Sequence, residues 1–305
     1  MSADVELSHA FDDIDLGKLE TSLRSPRTLL SALLSATALL ASLVACVPLV
    51  SVVSMLVIRG GQRLSWEALT ATPPAAFTSG GGFGNAILGT LMMVGIAAAL
   101  SVPCGILAAA YLALLGPETW TSSAVRFAAK VLTGLPSVLA GVFAYAAVVL
   151  ATGGFSAPAG GVALAVLMLP TVLLTAEEAI RMVPTRMKEA AIGMGTTDSQ
   201  LLWRIVLPTA MPGILTGVML AVARAAGETA PLLFTALFSS YWLVNNGQVQ
   251  LMRPTASLAV LIYNFSAMPF PNQLSLAWAA SLVLVVIVLT FNIAGQFLSR
   301  NRHRQ

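Results

Sequence analysis

Glu189-Ala190-Ala191-Ile192-Gly193-Met194-Gly195, then nine residues, then Ile205-Val206-Leu207-Pro208: this stretch and its continuation through Arg224 and Glu228 organise the whole chain. Glu-Ala-Ala is strong helix-forming material, and two glycines within three residues stop the helix. Thr196, Thr197 and Asp198 offer N-caps for a second short helix, from Ser199 to about Val206. Leu201, Leu202, Ile205 and Val206 recur at helical spacing and give that helix an apolar face, which Pro208 is expected to end. The outcome is a polar hairpin between apolar spans, lying at a membrane surface.

Composition says why a membrane is involved. The 305 residues are 57% hydrophobic and only 10% charged, against roughly 25% charged in a soluble domain. A bilayer core takes about 20 apolar residues per helix. Six such runs occur, near 28–58, 85–115, 131–151, 161–180, 212–238 and 274–298, with the hairpin in loop 181–211. The expected fold is therefore an all-α membrane protein with six transmembrane helices spread over residues 28–300. Before them lies an acidic tail, 1–27, carrying Asp4, Glu6, Asp12, Asp13, Asp15 and Glu20; after them comes a basic end, 301–305. An acidic start argues against a secretory signal peptide.

Charge placement orients the spans. If both termini are cytoplasmic, twelve Lys and Arg lie on the cytoplasmic side, including Arg126, Lys130, Arg181, Arg186, Lys188 and Arg204. Only Arg59, Arg63 and Arg253 lie outside. This asymmetry follows the positive-inside rule and puts the Glu189 hairpin in the cytoplasm. The net charge of +3 gives no reason to invoke nucleic acid, because the positive residues collect at span ends. Cys46 and Cys104 lie within apolar runs and read as small buried residues, with pairing left open. His9 and His303 sit in the tails and suggest no metal site.

The fifth span holds the unusual chemistry. Gly213, Gly217, Ala221 and Ala225 recur every four residues, a stripe that lets another helix approach closely. Arg224 shares that span, and an arginine deep in hydrocarbon costs between ~2.5 and ~17 kcal/mol. Glu228, one turn on, can pair with it. Gly227 weakens the helix, and Pro231 removes the bond that the Gly227 carbonyl would accept while biasing Ala230 away from helical angles. The reading is a helix that loosens over 227–231 beside a cation, with the Thr229 hydroxyl nearby. Broken helices at membrane depth recur as ion sites; a purely structural Arg–Glu pair is the competing reading.

The spacing Glu189-Ala190-Ala191, three residues, Gly195, nine residues, Ile205, one residue, Leu207-Pro208 resembles the cytoplasmic coupling loop of ABC-transporter permeases. The run Arg224-Ala225-Ala226-Gly227-Glu228-Thr229-Ala230-Pro231-Leu232-Leu233, with Tyr263-Asn264-Phe265 and Leu276-Ala277-Trp278-Ala279-Ala280, is similar to PstA-like permease subunits of phosphate-specific importers. Gly193 departs from the usual pattern and makes the turn looser. The resemblance implies the type I ABC importer permease fold in a bacterial cytoplasmic (inner) membrane. It further implies uptake of inorganic phosphate, with Arg224, Glu228 and Thr229 binding or gating it.

The same resemblance makes the chain a transport subunit, not an enzyme. Its partners would be a second homologous permease (PstC-like), two ATPase subunits (PstB-like) and an extracytoplasmic phosphate-binding protein (PstS-like). ATP and Mg would belong to the ATPase, since no G-x-x-x-x-G-K-[ST] loop occurs in this chain and no cofactor of its own is expected. Sulfate or molybdate as cargo, or an ion-coupled secondary transporter, are the alternatives. The second leaves the Glu189–Pro208 loop unexplained.

Overall fold

The computed structural model describes residues 26–116, 118–245 and 247–302; the acidic tail expected over 1–27 lies almost entirely outside them. The chain divides into two units, Met1–Met55 and Leu56–Gln305. In the first, helix α1, Pro26–Met55, is apolar along its length and exposed from Leu29 onward. It has no polar face because Leu, Val and Ala occupy every side, the pattern of a helix solvated by lipid.

The second unit begins with a π-helical turn, Leu56–Gly60, and a short helix α2, Trp66–Thr70. Arg59 lies in that turn and not in an external loop, its guanidinium 5.4 Å from the centre of the Trp278 ring. The long elements that follow are α3, Gly84–Leu115, and α4, Trp120–Thr133. Next come α5, Ser137–Thr152, and α6, Ala157–Arg181. The hairpin is made by α7, Thr185–Gly193, and the start of α8, Asp198–Ala226. A one-turn helix α9, Ala230–Leu233, and a two-stranded ribbon, β1 Val244–Asn245 with β2 Gln248–Val249, precede α10, Leu258–Ser266, and α11, Pro271–Arg302.

Five helical stretches are long and apolar enough to cross a bilayer: Thr28–Arg63, α3, α6, α8 and 271–297 of α11. Helices α4 and α5 meet at 106°, and only as one bent pair do they make a sixth. The expected span 131–151 is corrected accordingly. Residues 131–133 finish α4, and a separate, shorter helix starts at Ser137. Gly134 caps α4, and Pro136 has an extended backbone, while the residue before a proline resists helical angles. The loop expected over 116–130 is therefore mostly helix.

The span 212–238 is likewise displaced. Helix continues from Asp198 through Pro208 and Pro212 and stops at Ala226. Pro208 does not end the hairpin's second helix, because it falls in the first turn of the α segment after a π-helical turn at Leu201–Val206, where a missing N–H is tolerated. The external segment expected over 239–273 contains α10, whose Leu258, Val260 and Leu261 are fully buried.

Packing centres on α6. It lies along α3 and α8, and α8 in turn packs on α11. The core is rich in alanine (Ala97, Ala109, Ala165, Ala176, Ala221 and Ala225 are among its buried members), so backbones approach closely. The small-residue stripe of α8 does this directly. A Cβ on Gly217 would collide with the side chain of Thr175 on α6, and one on Gly213 would lie 2.8 Å from the Ala179 Cβ. Cys46 and Cys104 are exposed free thiols, contrary to the buried reading, because both sit on helix faces that no other described element covers.

Candidate functional site

The Glu189 motif folds as a compact hairpin. Helix α7 ends where Gly195 adopts φ +82°, a left-handed conformation that glycine takes without a steric penalty. Its N–H donates to the Ile192 carbonyl at 2.9 Å and the Thr196 N–H to the Ala191 carbonyl at 3.2 Å. Gly193 remains helical with open space around it. Thr197 then begins α8 with a capping box: its Oγ1 accepts from the Gln200 N–H, and its own N–H donates to the Gln200 side chain. Ala191, Leu201 and Val206 are buried in the main apolar core. Glu189, Ala190, Gly195 and Pro208 are exposed, with Ile205 and Leu207 half-buried. At the hairpin Ile192, Met194 and Trp203 stand exposed, an apolar surface on an otherwise polar loop.

Lys188 points back along α7 and donates to the Ile180 carbonyl at 3.4 Å. Burial, and then the charge of Arg181, hold its ammonium below the ordinary lysine value of 10.5.

At the far end of α8, Arg224 and Glu228 pair with Nε to Oε1 at 3.5 Å. Arg224 is about half exposed while Glu228 is mostly covered. The helix ends between them: the N–H groups of Gly227 and Glu228 reach back only three residues, to Arg224 and Ala225. Ala230 does not avoid the helical state; it opens α9, whose N-terminus the Thr229 carbonyl accepts through the Leu232 and Leu233 N–H groups. The Thr229 side chain makes no cap bond there. Past this break a cavity of about 460 Å³ is lined by Asn85, Ser239, Tyr241, Trp242, Gln250 and Arg253 among others. Asn85 shapes it by donating to the carbonyls of Ser239 (2.9 Å) and Tyr241 (3.1 Å).

One ionic cluster escaped the reading of the sequence. Glu177, buried within α6, receives Arg126 Nε from α4 at 2.6 Å and Arg181 Nη2 at 2.8 Å on one carboxylate oxygen. Arg126 also donates to the Leu112 carbonyl at 2.7 Å. The signal was an acid one turn before Arg181 in an apolar run; its second partner, 51 residues away, leaves no trace in spacing.

The sequence profile described as "Binding-protein-dependent transport system inner membrane component" matches residues 101–304, taking in both the hairpin and the broken helix. The chain belongs to this permease family. A Yersinia pestis relative, "Phosphate transport system permease protein PstA", is 38% identical over 248 residues, 81% of this chain and 82% of its own length. "Phosphate transport system permease protein PstA 1" of Mycobacterium tuberculosis is 36% identical over 273 residues, 86% of this chain and 85% of its own. In fold, a chain of a bacterial alginate ABC transporter, solved with an alginate-bound periplasmic protein, superposes with a TM-score of 0.61. At 16% identity, it covers 92% of this chain and 98% of its own. This permease is thus a multi-pass inner-membrane transport subunit, and its family is not one of enzymes.

Proposed function

We propose that the chain is the membrane-spanning subunit of an ATP-driven importer of inorganic phosphate, as the names of its relatives suggest. The observation that carries the reading is the placing of two special features on one helix. Helix α8 starts in the hairpin and ends at the Arg224–Glu228 break. Arg224 lies sixteen residues beyond Pro208, ~24 Å along the axis, most of the way across a hydrocarbon core of about 30 Å. A rigid element of that length carries displacement from a motor at one surface to a cation near the other.

In this reading the hairpin is cytoplasmic and its Ile192, Met194 and Trp203 surface docks on an ATPase subunit that binds ATP and Mg. Two ATPase subunits, a second homologous permease and an extracytoplasmic phosphate-binding protein complete the assembly. Phosphate carries a charge of about −1.5 to −2 near neutral pH, more than one guanidinium offsets. Arg224 is half exposed, so a second permease can close over it and bring another donor. Glu228 holds Arg224 in the empty site and repels anions until cargo displaces it; Thr229 adds a hydroxyl.

The test is reconstitution with the neighbouring permease, the ATPase and the binding protein. Arg224→Ala is expected to abolish ATP-dependent phosphate uptake while the subunits still co-purify; near-normal uptake refutes the role. Competition by sulfate or molybdate in the same assay decides the cargo.

A further inference from the structure

Helix α4 is covered on one side only. Ser122 and Ala129 are buried, Ala129 within a cluster that includes Leu112 of α3 and Leu173 of α6. On the opposite edge Trp120, Phe127 and Val131 are 84%, 71% and 51% exposed. Their spacing of seven and four residues keeps all three within about 20° of one line along the helix. An amphipathic helix with a second, bare apolar edge needs an apolar partner.

We propose that this partner is the bilayer itself: α4 lies in the lipid–water interface with Trp120, Phe127 and Val131 among the acyl chains. Three observations point there. The helix joins two apolar elements and meets the second, α5, at 106°, so it runs across the end of that helix instead of along it. The helices on either side of it in the chain are apolar and exposed as well, at Leu107 and Leu115 on α3 and at Val138, Leu139 and Val142 on α5. A tryptophan at one end and exposed Lys130 in the last turn match the residue types that favour the headgroup boundary.

The interface then matters to coupling. Arg126, on the flank of α4, ties it to Glu177, and Arg181 ties the same oxygen to the last turn of α6, four residues before the coupling helix α7 begins. The lipid-seated helix is thereby a fixed abutment for the stem that carries the hairpin.

The experiment uses the assembled transporter extracted into discs with its native lipids. Photoreactive p-benzoylphenylalanine replaces Phe127, Val131 or, separately, Trp203, and irradiated products are separated into lipid and protein adducts. Labels at 127 and 131 are expected to give phospholipid adducts. Cross-links to any protein subunit from these positions overturn the proposal, as does the absence of any adduct from both. The label at 203 tests the docking of the hairpin instead, where an ATPase adduct is expected, so the two readings fail independently. A second readout is Trp120→Ser with Phe127→Ser, expected to lower coupled uptake at least threefold while the subunits still co-purify; unchanged uptake counts against the abutment.

Discussion

At Glu177 a single carboxylate oxygen meets two guanidinium groups from different helices. A buried charge that loses its partner costs on the order of 3 kcal/mol, much more than an exposed pair would. Glu177→Ala takes the carboxylate away from Arg126, which is mostly covered, and is expected to lower the melting temperature of the detergent-purified protein by several degrees. Glu177→Gln, which keeps the volume and still accepts hydrogen bonds, should lose less, and equal losses would put the effect down to the missing charge alone. Lys188 makes a pH-dependent contribution. Because its folded value lies below 10.5, the folded state holds the proton less readily than the unfolded chain. Stability from this group is therefore lowest below the folded value and rises as pH climbs through it toward 10.5. Lys188→Gln removes that rise. Melting curves from neutral pH to about 10.5 for both proteins test it, and parallel curves would dismiss the idea.

Among the elements, α6 and α8 meet closely enough to exclude a side chain at Gly217. Gly217→Val places carbon where the Thr175 side chain already is, and overpacking of this kind costs about 1–3 kcal/mol. Reduced yield and thermal stability are expected, with Thr175→Ala, which removes the colliding hydroxyl, recovering part of the loss in the same chain. Thr197→Ala removes the capping box and is expected to cost about 1 kcal/mol locally, read as faster hydrogen exchange over 198–201. These elements also show what the sequence could disclose. The hairpin, its Gly195 turn and its Thr197 cap were legible because each rests on local backbone chemistry. The small-residue stripe was legible because its four-residue period is the period of a helix face. The extent of α8 was not, since Pro208 reads as a stop and only the π-helical turn before it lets the helix pass. Helix α4 was hidden for a different reason: its Arg126 is held by Glu177 of α6, a contact between distant residues that no spacing rule records.

For the whole molecule, the sided distribution of Lys and Arg predicts that both termini and the 181–211 loop are cytoplasmic. A single cysteine at Ser79, between α2 and α3, in a variant lacking Cys46 and Cys104, should react with a membrane-impermeant maleimide added to intact cells. One at Met194 should react only after the membrane is opened. The reverse pattern would invert the topology and remove the basis for an ATPase at the hairpin. Three of the five apolar helical stretches, and α5 besides, also contain a π-helical turn, at 56–60, 111–115, 201–206 and 145–149 respectively. Such a turn holds about one residue more than an α turn. The turn at 201–206 sits between the hairpin and everything α8 carries beyond it. In the proposed coupling it would give slack in the gearing: deleting a residue there is expected to tighten the coil and leave the bearing of Arg224 nearly as it was. Deleting one between Pro212 and Gly217 instead swings Arg224 by about 100° relative to the hairpin, onto the side now occupied by its alanine neighbours.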